Sequence, residues 1–272
     1  MKIKNTIGKI CFFLQRGGFL TWIILISIWG IGSLFLPVHF LPSPWETITG
    51  GKELVLNGKL LNFMLVSIVR VLRGWLISLC IAVPTGLFIG RSETGKKLFE
   101  PFIDFFRFVP ALALITLFLM WFGVGEKSKT ALIIYASFFV IVVNTASGVL
   151  SVDQNRIQAA RALGANEWQI LLTVIIPSAV PFIYTGLRLG LGSSFTAIVG
   201  AEMLAANEGL GYLIYTSRLY FKTNWIFVGV LTLGILGFLS DTGLRLLGKN
   251  LLGKYGVKDG SRFGNVENSK SK

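Results

Sequence analysis

Apolar runs of about twenty residues, the length a helix needs to cross a bilayer core, recur along the chain between short polar or basic stretches. They fall at about 19–38, 60–90, 101–122, 130–150, 179–204 and 224–247. This pattern predicts an all-α polytopic membrane protein of about six transmembrane helices. The first run follows a basic start and carries Trp22 and Trp29. It ends at Pro37 without a small-residue cleavage pattern, so it reads as a retained span and not a secretory signal. Residues 39–59 are rich in Pro, Gly and polar side chains and read as an external loop. Residues 91–97 read as a short basic turn. The expected organisation is an N-terminal tail (1–18), a first helix with its external loop (19–60), a core transmembrane domain (61–248) and a C-terminal tail (249–272).

One polar segment, 151–177, behaves differently from a loop. Ser151 and Gln154 have the spacing of a capping box opening a short helix. That helix runs through Ala159, Ala160 and Ala162, and Gly164 is placed to end it in the left-handed conformation. Asn166 and Gln169 can cap a second helix, and Pro177 either limits that helix or bends the entry into the next span. Trp168 and Ile170 are placed to anchor the segment to the rest of the chain. The product is a helix-turn-helix with a small-residue joint at the membrane surface.

This elbow resembles the coupling loop of the membrane subunits of ATP-binding-cassette importers. That family's pattern is Glu-Ala-Ala, three residues, Gly, nine residues, an aliphatic, one residue, an aliphatic, then Pro. Ala159, Ala160, Gly164, Val174, Ile176 and Pro177 meet it at the family spacing, and Gln158 stands where the family often has Glu. The resemblance extends over about 61–247. Residues 108–129, 144–153 and 185–214 are similar to the branch that imports nitrate, taurine and alkanesulfonates. It implies a type I permease fold and a homodimer lining the pathway. It also implies an external solute-binding protein, and separate ATPase subunits that carry ATP and Mg and dock on Gln158, Ala159, Ala160, Leu163, Gly164, Ala165 and Pro177.

Composition fits a membrane protein: 53% of the 272 residues are hydrophobic and 14% are charged. The formal charge of +13 would suit nucleic acid, but the basic residues gather at span ends and in the tails. Lys2, Lys4, Lys9, Arg16, Arg91, Lys96, Lys97, Arg156 and Arg161 fall on one side, with more after Arg245. Lys52, Lys59, Lys127, Lys129, Arg218 and Lys222 fall on the other. The excess places both termini and the elbow in the cytosol, and the resemblance implies that the membrane is a bacterial inner membrane. A lone His39 and the distant Cys11 and Cys80 offer no metal set and no catalytic constellation. No phosphate-binding G-x-x-x-x-G-K-[ST] is present, so ATP, if it drives transport, binds elsewhere.

Charges inside spans are candidate sites. Arg70 and Arg73 either attract an anion at the outer mouth, or snorkel and pair, with Glu202 the best partner. Arg188 either lines the path or pairs with Asp104 or holds packing. Asp104 and Arg107 lie three apart and can pair on one helix face. Gly186 and Gly190 allow close helix approach, which reads as tight packing within one subunit; the resemblance implies that this span, with Ser193 and Ser194, also lines the pathway. Residues 205–220 form an outer gate helix or an interfacial turn. The readings from these features are the permease subunit of an ATP-driven importer, or a self-sufficient secondary carrier or channel. An intramembrane enzyme lacks the convergent acids it would need.

Overall fold

The structure is a computed structural model, and it describes residues 19–255. The tail at 1–18 and residues 256–272 lie outside that range. Among the described residues the chain is helical: α1 (Phe19–Phe35), α2 (Pro44–Leu56), α3 (Lys59–Arg91), α4 (Glu93–Phe106), a 3-10 turn (Ala111–Leu114), α5 (Ile115–Phe122) and α6 (Glu126–Leu150). There follow α7 (Gln154–Ala162), α8 (Glu167–Ile170), a π turn (Leu171–Ile175), α9 (Ile176–Ala205), α10 (Leu210–Leu219), α11 (Thr223–Leu252) and a final 3-10 turn (Gly253–Tyr255).

Among the described residues, four helices are long and apolar enough to cross a membrane: α3, α6, the continuous stretch from Glu167 through α9 to Ala205, and α11. Two of the six expected spans differ from a plain membrane helix. The first is a shorter apolar helix, α1, of 17 residues. The third is broken: α4 and the 3-10/α5 segment meet at 87°. Pro110 is extended (φ −62°, ψ 130°) and has no N–H, so the α ladder cannot pass it. The Tyr135 hydroxyl on α6 reaches the carbonyls beside the break, sharing its proton between Phe106 O at 2.7 Å, which also accepts from Val109 N at 3.0 Å, and Val109 O at 3.2 Å.

Three other expectations are corrected. The supposed external loop contains α2, opened by a capping box between Ser43 and Glu46 with Pro44 in the first turn. The basic turn at 91–97 is the start of α4, where Ser92 accepts from Gly95 N at 3.0 Å. The C-terminal tail begins later than 249, because α11 continues to Leu252.

The core is the packing of α6 between α3 and α9. Val71 and Ala82 of α3, Leu132, Ile133, Ile141 and Val142 of α6, and Leu191 and Ile198 of α9 are buried there. Lipid offers helices little hydrophobic reason to associate, so close fit supplies the contact. A Cβ on Gly86 would lie 2.5 Å from the Cβ of Thr145, and one on Gly186 would lie 2.7 Å from the Cβ of Asn144. Both glycines are therefore spacers that let backbones touch. α11 turns Leu231, Ile235, Phe238 and Leu239 outward, the apolar surface a lipid-facing helix presents.

Candidate functional site

The elbow is built as its sequence suggests, with one change of cap. Asp153, not Ser151, opens α7, its carboxylate accepting from Asn155 N at 2.9 Å. The Ser151 hydroxyl instead donates back to Gly148 O at 2.8 Å and closes α6. Gly164 ends α7 at φ +82°. Gly164 N donates to Arg161 O at 2.9 Å and Ala165 N to Ala160 O at 3.0 Å, the paired bonds of a Schellman turn. Asn166 and Gln169 then form a reciprocal capping box at the start of α8.

The elbow has a buried base and a bare tip. Ile157, Ile170 and Ile175 pack with Val149, Val152 and Ala179 beneath it. Gln158, Ala159, Leu163 and Gly164 are exposed, and Ala160, Ala165 and Pro177 are half-buried. Leu163 is 89% exposed although aliphatic. Trp168 is 72% exposed, so anchoring falls to the isoleucines and Trp168 takes no part in it. Glu167 holds the two arms together, accepting from Arg161 Nε at 3.1 Å and pairing with Arg91 at the end of α3. Pro177 cannot donate to the carbonyl four residues back, and the helix passes this point by widening into the π turn.

At the opposite end of the bundle, Arg70 is buried in a ring of acceptors. Its Nε donates to Glu126 at 2.9 Å, and its Nη1 donates to Glu202 at 2.9 Å and to Glu208 O at 2.8 Å. Glu202 is wholly buried and also accepts from Ser67 and Gly211 N, each at 2.9 Å. Arg73 pairs with Glu126 at 3.6 Å and donates to Thr130. Arg188 binds Asp241 of α11 through two nitrogens, at 2.8 and 3.0 Å. The expected partner Asp104 instead pairs with Arg107 at 3.3 Å.

Between these two ends, a cavity of about 690 Å³ lies at the break between α4 and α5. Arg107, Phe108 and Pro110 form one wall, Tyr135, Phe139 and Asn144 of α6 another, and Ser193 and Thr196 of α9 a third.

A helical bundle with an exposed, rigidly based elbow and a side-chain-lined cavity fits a family of membrane transport subunits. Residues 82–252 match the model of the binding-protein-dependent transport system inner membrane component. The chain belongs to that family. It is 41% identical over 226 residues to the "Probable ABC transporter permease protein" of Brucella melitensis, covering 82% of this chain and 92% of that one. It is 34% identical to the taurine transport system permease protein TauC of Escherichia coli, covering 87% and 88%. It is 29% identical to the nitrate import permease protein NrtB of Synechococcus elongatus, covering 83% and 86%. Its fold is that of a chain in an inward-facing structure of the MetNI methionine ABC transporter, with a TM-score of 0.57 at 19% identity, covering 72% of this chain and 95% of that one.

This ABC permease thus distributes its candidate residues unequally. Of the six pathway candidates, Ser193 lines the cavity. Arg70, Arg73, Arg188 and Glu202 are held in ion pairs, and Ser194 is buried with its hydroxyl on Gly190 O at 2.9 Å. Arg107, Tyr135, Asn144 and Thr196 line the cavity without having been singled out for it. Asp241 could have been found, because an acid within an apolar span needs a partner. The lining role of Arg107 depends on the break, which Pro110 alone does not announce.

Proposed function

We propose that this permease forms the pathway of an ATP-driven importer for a small anionic solute of the nitrate, taurine or alkanesulfonate class. Two copies form the channel. Separate ATPase subunits, holding ATP and Mg, dock on residues 151–177. An external binding protein delivers the solute. The chain sits in the bacterial inner membrane with both termini and the elbow in the cytosol. One observation carries this reading. An aliphatic residue, Leu163, stands bare at the tip of a turn whose base is buried and whose arms are cross-tied. A bare apolar tip on a stiff base suits insertion into a partner's groove, and a stiff base passes movement on to the bundle. The relatives named for taurine and nitrate, both oxyanionic solutes, support the solute class. The basic residues concentrated on the elbow side support the orientation.

The test is reconstitution. The purified chain is placed in liposomes alone, and with its ATPase and binding protein, and uptake of labelled taurine, ethanesulfonate and nitrate is followed. Uptake of at least one anion that needs the whole complex and ATP is expected. Uptake by the chain alone, driven by an ion gradient, would instead establish the self-sufficient carrier.

A further inference from the structure

We propose that the cavity at the α4–α5 break is a solute site for a small organic oxyanion. Arg107 holds the oxyanion head and the aromatic wall takes the hydrocarbon part. The proposal rests on the importer reading above and names a site for its solute.

The argument begins with which charge is available. Arg70 and Arg188 are committed to buried or half-buried carboxylates. Among the described residues, Arg107 is the one charged side chain lining the cavity. Its Nε lies 3.3 Å from Asp104 Oδ1, and both side chains are substantially exposed. Its terminal nitrogens carry no hydrogen bond among the described residues. An exposed pair three residues apart is weak, so an incoming oxyanion can compete for the guanidinium at little cost. The guanidinium lies 4.8 Å from the centre of the Phe108 ring, a contact that favours a fixed orientation of the fork. Such a planar fork binds an oxyanion through two parallel hydrogen bonds.

The rest of the wall completes an amphiphilic site. Asn144 donates one N–H to Val140 O at 2.8 Å, and its amide carries a second. Ser193 and Thr196 donate to carbonyls four residues back at 3.2 and 3.3 Å, long bonds that a χ1 rotation exchanges for a ligand. Phe106, Phe108 and Phe139 give an apolar face. A nitrate ion would use the polar side alone, whereas a sulfonate with a hydrocarbon chain uses both. The volume falls within the range of about 300–1,000 Å³ usual for small-molecule sites. The Tyr135 bonds to Phe106 O and Val109 O fix the backbone on either side of Arg107, so the site is held in shape before solute arrives.

The test uses the complete transporter in proteoliposomes, with labelled pentanesulfonate and nitrate as probes. Arg107→Gln is expected to lower ATP-driven pentanesulfonate uptake about tenfold or more, with assembly and unstimulated ATP hydrolysis unchanged. Arg107→Lys recovers part of the loss. Asp104→Asn, which frees the guanidinium, keeps uptake at or above the unsubstituted level. Phe108→Ala, at a position that is 75% exposed, is expected to weaken pentanesulfonate uptake more than nitrate uptake. Full uptake by Arg107→Gln overturns the proposal. So does an equal loss in Asp104→Asn, which would reduce Arg107 to an ion-pair partner, or an equal effect of Phe108→Ala on both anions. In all three cases the importer reading stands, because the unsubstituted complex still transports. If the unsubstituted complex carries neither anion, the solute class and the site fall together.

Discussion

The Glu202 carboxylate is the clamp on α10. It accepts from Ser67 Oγ, Arg70 Nη1 and Gly211 N, each at 2.9 Å, and it is fully buried. Ser67 in turn accepts from Leu210 N at 2.9 Å. The first N–H groups of α10 are therefore capped by side chains of α3 and α9 and not by its own sequence. Gly209 reaches this place at φ +114°, where a Cβ would lie 2.3 Å from Glu202 Oε1. Glu202→Ala orphans Gly211 N and leaves Arg70 with one of its two nearest carboxylates. Breaking a buried pair on one side costs about 3–5 kcal/mol. Ser67→Ala removes a neutral donor and acceptor and costs about 1–3 kcal/mol. The assay is hydrogen exchange over Leu210–Leu219 in the purified permease. Glu202→Ala is expected to speed exchange there by about a hundredfold to several thousandfold, while the packed faces of α6 and α9 keep their protection. Unchanged exchange in α10, or a loss in Ser67→Ala as large as in Glu202→Ala, would refute the clamp.

Three further outcomes follow from the packing. Tyr135→Phe leaves the Phe106 and Val109 carbonyls without that donor; it should cost about 1–3 kcal/mol and raise exchange across residues 106–110, read by the same method. Gly86→Leu should lower the thermal unfolding temperature, because a Cβ there lies 2.9 Å from Val142 O and overpacking costs about 1–3 kcal/mol. Gly192→Leu, with nothing within 4 Å of a Cβ, should leave that temperature unchanged.

What the sequence made legible was local. Gly164 as the left-handed stop and the Asn166–Gln169 box depend on neighbours within a few residues, and both are present. The helix cap moved from Ser151 to Asp153 because the Ser151 hydroxyl closes α6 instead. The helix in the expected external loop was written in the Ser43–Glu46 spacing, and the loop's Pro and Gly content obscured it. The Arg70–Glu202 pair was readable, since two intramembrane charges at one depth need each other. The Arg188–Asp241 pair required knowing that α9 and α11 face each other. The break at Pro110 was the least legible. A proline within an apolar run usually bends a helix without ending it, and the compensating hydroxyl of Tyr135 lies a helix away.

The central claim is that an ATPase works this bundle through the elbow at 151–177. Gly164 sits at φ +82° with nothing within 4 Å of a Cβ. Gly164→Trp therefore adds bulk at the tip, at a local backbone cost of about 1–2 kcal/mol, and leaves the bundle untouched. The measurement is ATP hydrolysis by the assembled complex, with and without solute-loaded binding protein. Loss of the stimulated rate, with expression and assembly of the complex intact, is the expected result; full stimulation in that variant would contradict the account.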